Sequence, residues 1–175
     1  MTNYQIATIL SVITALFTAA SGWVPDRKKT FQLQTAQCLI YAVASYFFGM
    51  YATIVTVLLC SWRNWMESNE RFTVKICVPF CILVTLLGLI MNRAGLTGLL
   101  PVAATLLYSV GCCVFKDLLI TKANILVNLL LWTLYDLLIA DYPSLIMDSI
   151  GAAVAAAAML RIRKMSQSPE KQDIS

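Results

Sequence analysis

The sequence contains no histidine, and only 13% of its 175 residues are charged. Without histidine, the chain lacks the usual general base of serine hydrolases and a common ligand of zinc and haem sites. Its six cysteines fall in apolar stretches and form no CxxC pair, so we expect them to pack as small hydrophobic residues. Cys77 and Cys81 share a helix face, and there too packing is favoured over metal binding. The sequence therefore predicts neither a metal site nor a cofactor.

Apolar residues make up 59% of the chain, whereas soluble domains are typically about 45–50% apolar and about 25% charged. A soluble core of this size could not bury so much apolar surface, so the composition predicts an integral membrane protein. A spanning helix needs roughly 20 apolar residues. Seven stretches are candidates, the third of them short: Tyr4–Val24, Phe31–Gly49, Tyr51–Trp62, Phe72–Asn92, Thr97–Phe115, Thr121–Ala140 and Pro143–Ile162.

The positions of the basic residues predict an orientation. If successive spans alternate in direction, every lysine and arginine except Arg93 falls on the face that holds the C-terminal end. The positive-inside rule then places that face in the cytoplasm and the N-terminus outside. The net charge of +4 thus reflects topology, and no basic patch with interleaved aromatic residues points to nucleic acid. The expected partners are membrane lipid and a small-molecule solute.

An internal repeat is found when the sequence is aligned with itself at an offset of 91 positions, which is the separation of Asp26 and Asp117 in sequence. Matching residue types then coincide in sequence order: Thr14 with Thr105, Asp26 with Asp117, Thr30 with Thr121, Gln37 with Asn128, Tyr41 with Trp132, and Tyr51 with Tyr142. The repeat predicts two parallel three-helix bundles, 1–71 and 97–164, and a connector helix in 72–96. The connector is needed because a duplicated unit with an odd number of spans would otherwise be inverted. Residues 165–175 are expected to form a disordered cytoplasmic tail.

Two stretches carry a resemblance to known families. "WVPDRKKTFQLQTAQCLIYAVASYFFGMY" and "LWTLYDLLIADY" resemble the YgjV-type bacterial inner-membrane protein family, which implies that location but no established activity. The arrangement of three helices, a connector and three helices, with an Asn and a Trp on the sixth span, is similar to the SWEET and PQ-loop transporters. That resemblance implies a solute site near the middle of the membrane, between the two bundles. The chain has no Pro-Gln dipeptide.

Polar side chains recur every four residues on two of the apolar stretches. The second carries Gln37, Tyr41 and Ser45, and the sixth carries Asn124, Asn128, Trp132 and Asp136. A lipid-facing amide would cost about 2–7 kcal/mol, so both bands should face protein or a water-filled cavity. Gln37 and Asn128 are expected at similar depths, close to the membrane midplane.

These bands predict a substrate site. We expect Asn128, Trp132, Gln37 and Tyr41 to contact a solute, because amides bind hydroxyls or carbonyls and aromatic faces cover rings. Asn124, Ser45 and Tyr108 complete the predicted set. The alternative is that these side chains only hold the helices together through hydrogen bonds.

Two acidic residues are candidates for an outer gate or a proton site. Asp136 and Asp148 each lie about five residues from the outer end of a predicted span, roughly 7–8 Å deep. If they face each other, they could share a proton or hold a cation. Alternatively, each reaches the outer headgroups or caps a helix end. The Tyr135-Asp136 pair also occurs in intramembrane aspartyl proteases, but their Gly-x-Gly-Asp motif is absent, so no enzyme is predicted.

The stretch "GAAVAAAA", Gly151 to Ala158, predicts close helix packing, either within the bundle or against a second copy of the chain. Taken together, these features predict a small multi-pass transporter of the bacterial inner membrane. It would move a sugar, nucleoside, vitamin or similar polar or ring-containing solute by alternating access. A membrane scaffold or assembly protein is the competing hypothesis.

Overall fold

A computed structural model describes residues 2–49, 51–92 and 95–167. This part of the chain folds into seven α-helices and contains no strand, which confirms the all-helical prediction. The helices are α1 (Asn3–Trp23), α2 (Arg27–Phe47), α3 (Tyr51–Ser68), α4 (Val74–Met91), α5 (Leu99–Val114), α6 (Leu118–Leu138) and α7 (Tyr142–Gln167). Helix α7 extends into the segment predicted as a disordered tail, and residues 168–175 of that segment lie outside the described residues.

Several helices are suited to lipid by length and composition. Helices α1, α4 and α6, together with Ser144–Met165 of α7, are long and apolar enough to cross a membrane. Helix α5 is apolar but has only 16 residues. Helix α2 carries three glutamines, and α3 ends in a polar turn, which explains why neither reaches the same hydropathy.

The two halves start their middle helices in the same way. Asp26 caps α2 and Asp117 caps α6, each accepting a hydrogen bond from the backbone N–H three residues later, at 2.7 Å and 2.9 Å. One turn on, the hydroxyls of Thr30 and Thr121 each donate to the carbonyl of the capping aspartate at 2.7 Å. Positions 91 residues apart therefore play the same local role.

The helices pack in an order that relates the two halves. Helix α2 packs against both α1 and α3, and α6 packs against both α5 and α7. Between the halves, α1 contacts α7 and α3 contacts α5, while α4 lies against α5. Each half therefore presents its first and third helices to the other half.

Small residues let α7 approach its neighbours closely. Ala152, Ala155 and Ala158 are buried within this single chain. A Cβ added at Gly22 of α1 would lie 3.3 Å from a Val154 methyl, so α1 and α7 are in close contact there. Of the two alternatives for this stretch, the structure shows packing within the chain.

Candidate functional site

The polar band of α6 lies away from the exposed side of that helix. The exposed residues are apolar: Val127, Leu130, Leu134 and Leu137. Asn124, Asn128 and Trp132 are half-buried, and Asp136 is buried. At 100° per residue, the band begins on the flank of the helix and winds toward its buried side.

The band of α2 faces inward more directly. Leu39, Val43 and Tyr46 form its exposed side. Gln37 and Tyr41 are half-buried, and Ser45 is fully buried. Gln37 and Asn128 each lie about 15 Å from the start of a 21-residue helix, so they occupy equivalent positions on α2 and α6.

Four residues were predicted to contact a solute near the middle of the membrane, and we call them the mid-membrane set: Gln37, Tyr41, Asn128 and Trp132. Among the residues that the structure describes, none of their side chains makes a hydrogen bond. The Trp132 ring does contact Tyr135 edge-on, with ring centroids 5.8 Å apart. The two amides are therefore partly buried, and their donors and acceptors are unused within the described part of the chain.

Asn124 and Tyr108, in contrast, are engaged with other parts of the protein. The Asn124 amide donates to the Tyr108 carbonyl at 2.8 Å, and the Tyr108 hydroxyl donates to the Gln34 side chain at 2.7 Å. A Cβ at Gly111 would lie only 2.5 Å from the Asn124 amide nitrogen, so this glycine makes room for the amide. These contacts tie α5 to α6 and to α2.

Ser45 and Asp136 share an unusual property. Ser45 is 0% exposed and Asp136 is 4% exposed. The Ser45 hydroxyl oxygen and Asp136 Oδ2 are also the buried side-chain atoms that lack a hydrogen-bond partner within the described residues. The two residues are 91 positions apart, so they occupy equivalent places in the two halves. Buried polar atoms are usually paired, so these two need an explanation.

Three carboxylates, which we call the acidic cluster, lie near Tyr41: Asp136, Asp141 and Asp148. All three act electrostatically on the Tyr41 side chain, and both Asp136 and Asp141 act on Asp148. Asp141 also accepts a hydrogen bond from the Ser144 backbone N–H at 3.3 Å. Tyr41 of α2 and acids of α6 and α7 thus lie near one another at this end of the molecule.

At the opposite end, a buried ion-pair network joins the two halves. The Glu67 side chain is 0% exposed, and it accepts from Arg27 at 2.6 Å and from Lys116 at 3.2 Å. Arg27 also donates to the Thr121 hydroxyl and to the Cys112 carbonyl, and Lys116 donates to the same carbonyl. The network therefore connects α2 and α3 to α5 and α6.

Two further basic residues are buried. Lys122 is 0% exposed and donates to the Ser21 carbonyl at 2.6 Å and to the Thr30 hydroxyl at 2.8 Å. Arg63 is 4% exposed; it donates to Ser109 at 3.0 Å and lies over the Tyr108 ring at 4.5 Å. Both side chains therefore join parts of the chain that are far apart in sequence.

A sequence signal existed for part of this arrangement. Glu67 comes four residues after Arg63 and three after Asn64, so its side chain lies between theirs around the helix axis. The Arg63 guanidinium also donates twice to the Asn64 side chain, at 3.0 and 3.2 Å. The predicted third stretch ended at Trp62, whereas α3 continues to Ser68. These three residues therefore lay outside the predicted helix.

Comparison with known proteins places the chain in a family. A family model described as a bacterial inner membrane protein, Imp-YgjV, matches residues 5–166. The chain therefore belongs to the Imp-YgjV family of bacterial inner membrane proteins. No curated protein and no solved structure matches it. The YgjV-type resemblance predicted from the sequence is confirmed.

Proposed function

We propose that the chain spans the membrane seven times as two parallel three-helix bundles joined by α4, with the N-terminus outside. The helix contacts support this arrangement. A two-fold axis along the membrane normal exchanges α1 with α5 and α3 with α7, so it converts the α1–α7 contact into the α5–α3 contact. The matching caps at Asp26 and Asp117 support the same axis. The proposed arrangement resembles that of the SWEET and PQ-loop transporters.

Within this architecture, the protein acts as a transporter that moves a small polar or ring-containing solute. The observation that carries the proposal is the mid-membrane set. An amide and an aromatic ring recur at equivalent positions and equal depth, away from the exposed helix faces and without hydrogen bonds to described residues. Side chains that only held helices together would be paired, as Asn124 is with the Tyr108 carbonyl.

Alternating access requires a solute site and a pathway that is closed at one end. Hydrogen bonds between the two halves could close one end. Lys122, Arg27 and Arg63 link the two halves near the ends that the positive-inside rule assigns to the cytoplasm. At the other end lie the acidic cluster and the unpaired oxygens of Ser45 and Asp136. This asymmetry supports a conformation closed toward the cytoplasm, with Asp136 and Asp148 at the outer gate.

A ligand screen tests the proposal. Purified protein is heated with sugars, nucleosides, vitamins or amino acids, because a bound ligand at 100 times its Kd adds about 2.7 kcal/mol to stability. For each stabilising compound, we expect Gln37→Ala with Asn128→Ala to weaken binding by about tenfold or more, since each hydrogen bond contributes about 0.5–1.5 kcal/mol.

The control is Gln32→Ala, which removes an exposed glutamine from the same helix. It should leave the ligand response unchanged. A stabilising compound whose affinity survives the double substitution would contradict a solute site at the mid-membrane set. Normal stability with no response to any compound would favour the scaffold hypothesis.

A further inference from the structure

The two ends of the molecule differ in charge. Acidic residues at the outer end are Asp136, Asp141 and Asp148, and the sequence offers only Arg93 as a basic residue there, outside the described residues. In the described part of the chain, no lysine or arginine forms an ion pair with any of the three. The acidic cluster therefore lacks the compensation that Arg27 and Lys116 give to Glu67.

A second observation concerns hydrogen bonding rather than charge. Asp136 Oδ2 is buried and has no donor, and the Ser45 hydroxyl at the equivalent position of α2 is buried and unpaired as well. Ser45 lies one turn beyond Tyr41 on the same face of α2. An ionised Asp136 can only accept a hydrogen bond, and the Ser45 hydroxyl can accept as well as donate, so a group that carries N–H donors would satisfy both oxygens.

The geometry also limits what kind of cation would fit. Within the described residues, no group of three Asp, Glu, Cys or His side chains is arranged to hold a metal ion. Tyr41 and Trp132 supply aromatic rings on the two middle helices, and such rings attract organic ammonium groups by about 0.5–2 kcal/mol. A bare metal ion has no N–H group to donate to the unpaired oxygens. An organic ammonium group can both donate these hydrogen bonds and lie against the aromatic rings.

We infer that the transported solute carries a protonated primary or secondary amine. Its N–H groups donate to Asp136 and Ser45, Asp148 balances its charge, and the ring or polar body of the solute extends toward Gln37 and Asn128. This inference rests on the proposed function, because it assigns a solute class to the same pathway.

The test measures charge preference without knowledge of the solute. In a variant without native cysteines, Gln37→Cys is treated with aminoethyl methanethiosulfonate, which is cationic, or sulfonatoethyl methanethiosulfonate, which is anionic. Each rate is divided by that of a small free thiol. We expect the cationic reagent to react at least tenfold faster, and this ratio to fall several-fold with Asp136→Asn and again with Asp148→Asn. Glu70→Gln, which neutralises an exposed acid of the other end, should leave the ratio unchanged.

The outcomes separate the two proposals. Equal rates for the two reagents, or a ratio that both aspartate variants leave intact, would overturn the amine assignment while the pathway stands. Failure of both reagents to react would refute the pathway, and the amine assignment with it. As a second measurement, glucosamine should stabilise the protein against heat more than glucose does, and Asp136→Asn should abolish that difference; a neutral sugar that stabilises equally well would overturn the assignment.

Discussion

Replacing Glu67 by glutamine is expected to lower the free energy of unfolding by about 3 kcal/mol, the scale observed when one partner of a buried ion pair is removed. The Glu67 side chain is fully buried, and its carboxylate is the acid that pairs with both Arg27 and Lys116. The Arg27 side chain is only 15% exposed, so its charge cannot be transferred fully to water when the carboxylate is neutralised. The half-exposed Lys116 should contribute less, because water solvates it.

The matched control is Glu70→Gln, since Glu70 lies three residues away and is exposed. A surface substitution of this kind should change stability by no more than about 0.5 kcal/mol. Unfolding of both variants in mixed detergent micelles measures the difference. Equal stability of the Glu67→Gln and Glu70→Gln proteins would show that the network does not hold the two halves together.

Lys122→Met is expected to loosen the end of the molecule that we propose faces the cytoplasm, which we call the inner end. The Lys122 ammonium donates to the Ser21 carbonyl and the Thr30 hydroxyl, and hydrogen bonds from charged groups contribute about 1.5–3 kcal/mol each. Methionine fills similar space but donates nothing, so the α6 contact with α1 and α2 is weakened. The conformation open to the cytoplasm should therefore become more populated, by about tenfold or more.

The native Cys112 reports on this opening. It is 1% exposed, and its carbonyl accepts from both Arg27 and Lys116, so it lies beneath the network. With Cys112 as the only cysteine, a hydrophilic maleimide added to inside-out vesicles should label Lys122→Met much faster than the parent protein. Lys28→Met removes an exposed lysine from the same end and should not change the rate. Equal labelling of all three proteins would mean that Lys122 does not close the inner end.

The helices and the inward direction of the polar bands could be predicted from sequence because lipid leaves few alternatives. Every apolar stretch had to form a helix, and amides on α2 and α6 had to face away from lipid. The 91-residue spacing was also visible, and it matches the caps of α2 and α6 as well as the equivalent, unpaired oxygens of Ser45 and Asp136. These features could be predicted because they depend only on the local sequence and on the exclusion of polar groups from lipid.

The buried basic residues could not be predicted in this way because their role depends on distant partners. Lys122 lies five residues from Asp117 at the start of α6, where a lysine commonly reaches solvent. Its partners, Ser21 and Thr30, come from the other half of the chain, more than 90 residues away. Charge counting treats such a residue as a topology anchor, and only the packing of the two halves shows that it joins them.

Access of water to Gln37 and Asn128 is the most direct test of a solute pathway between α2 and α6. In a variant without native cysteines, Gln37→Cys and Asn128→Cys should both react with an impermeant, hydrophilic thiol reagent added from the outside. Val127→Cys, on the exposed face of α6 one residue from Asn128, should stay unreactive because lipid covers it. Protection at both inward positions in a stable, folded protein would contradict the pathway and leave the polar bands as helix contacts alone.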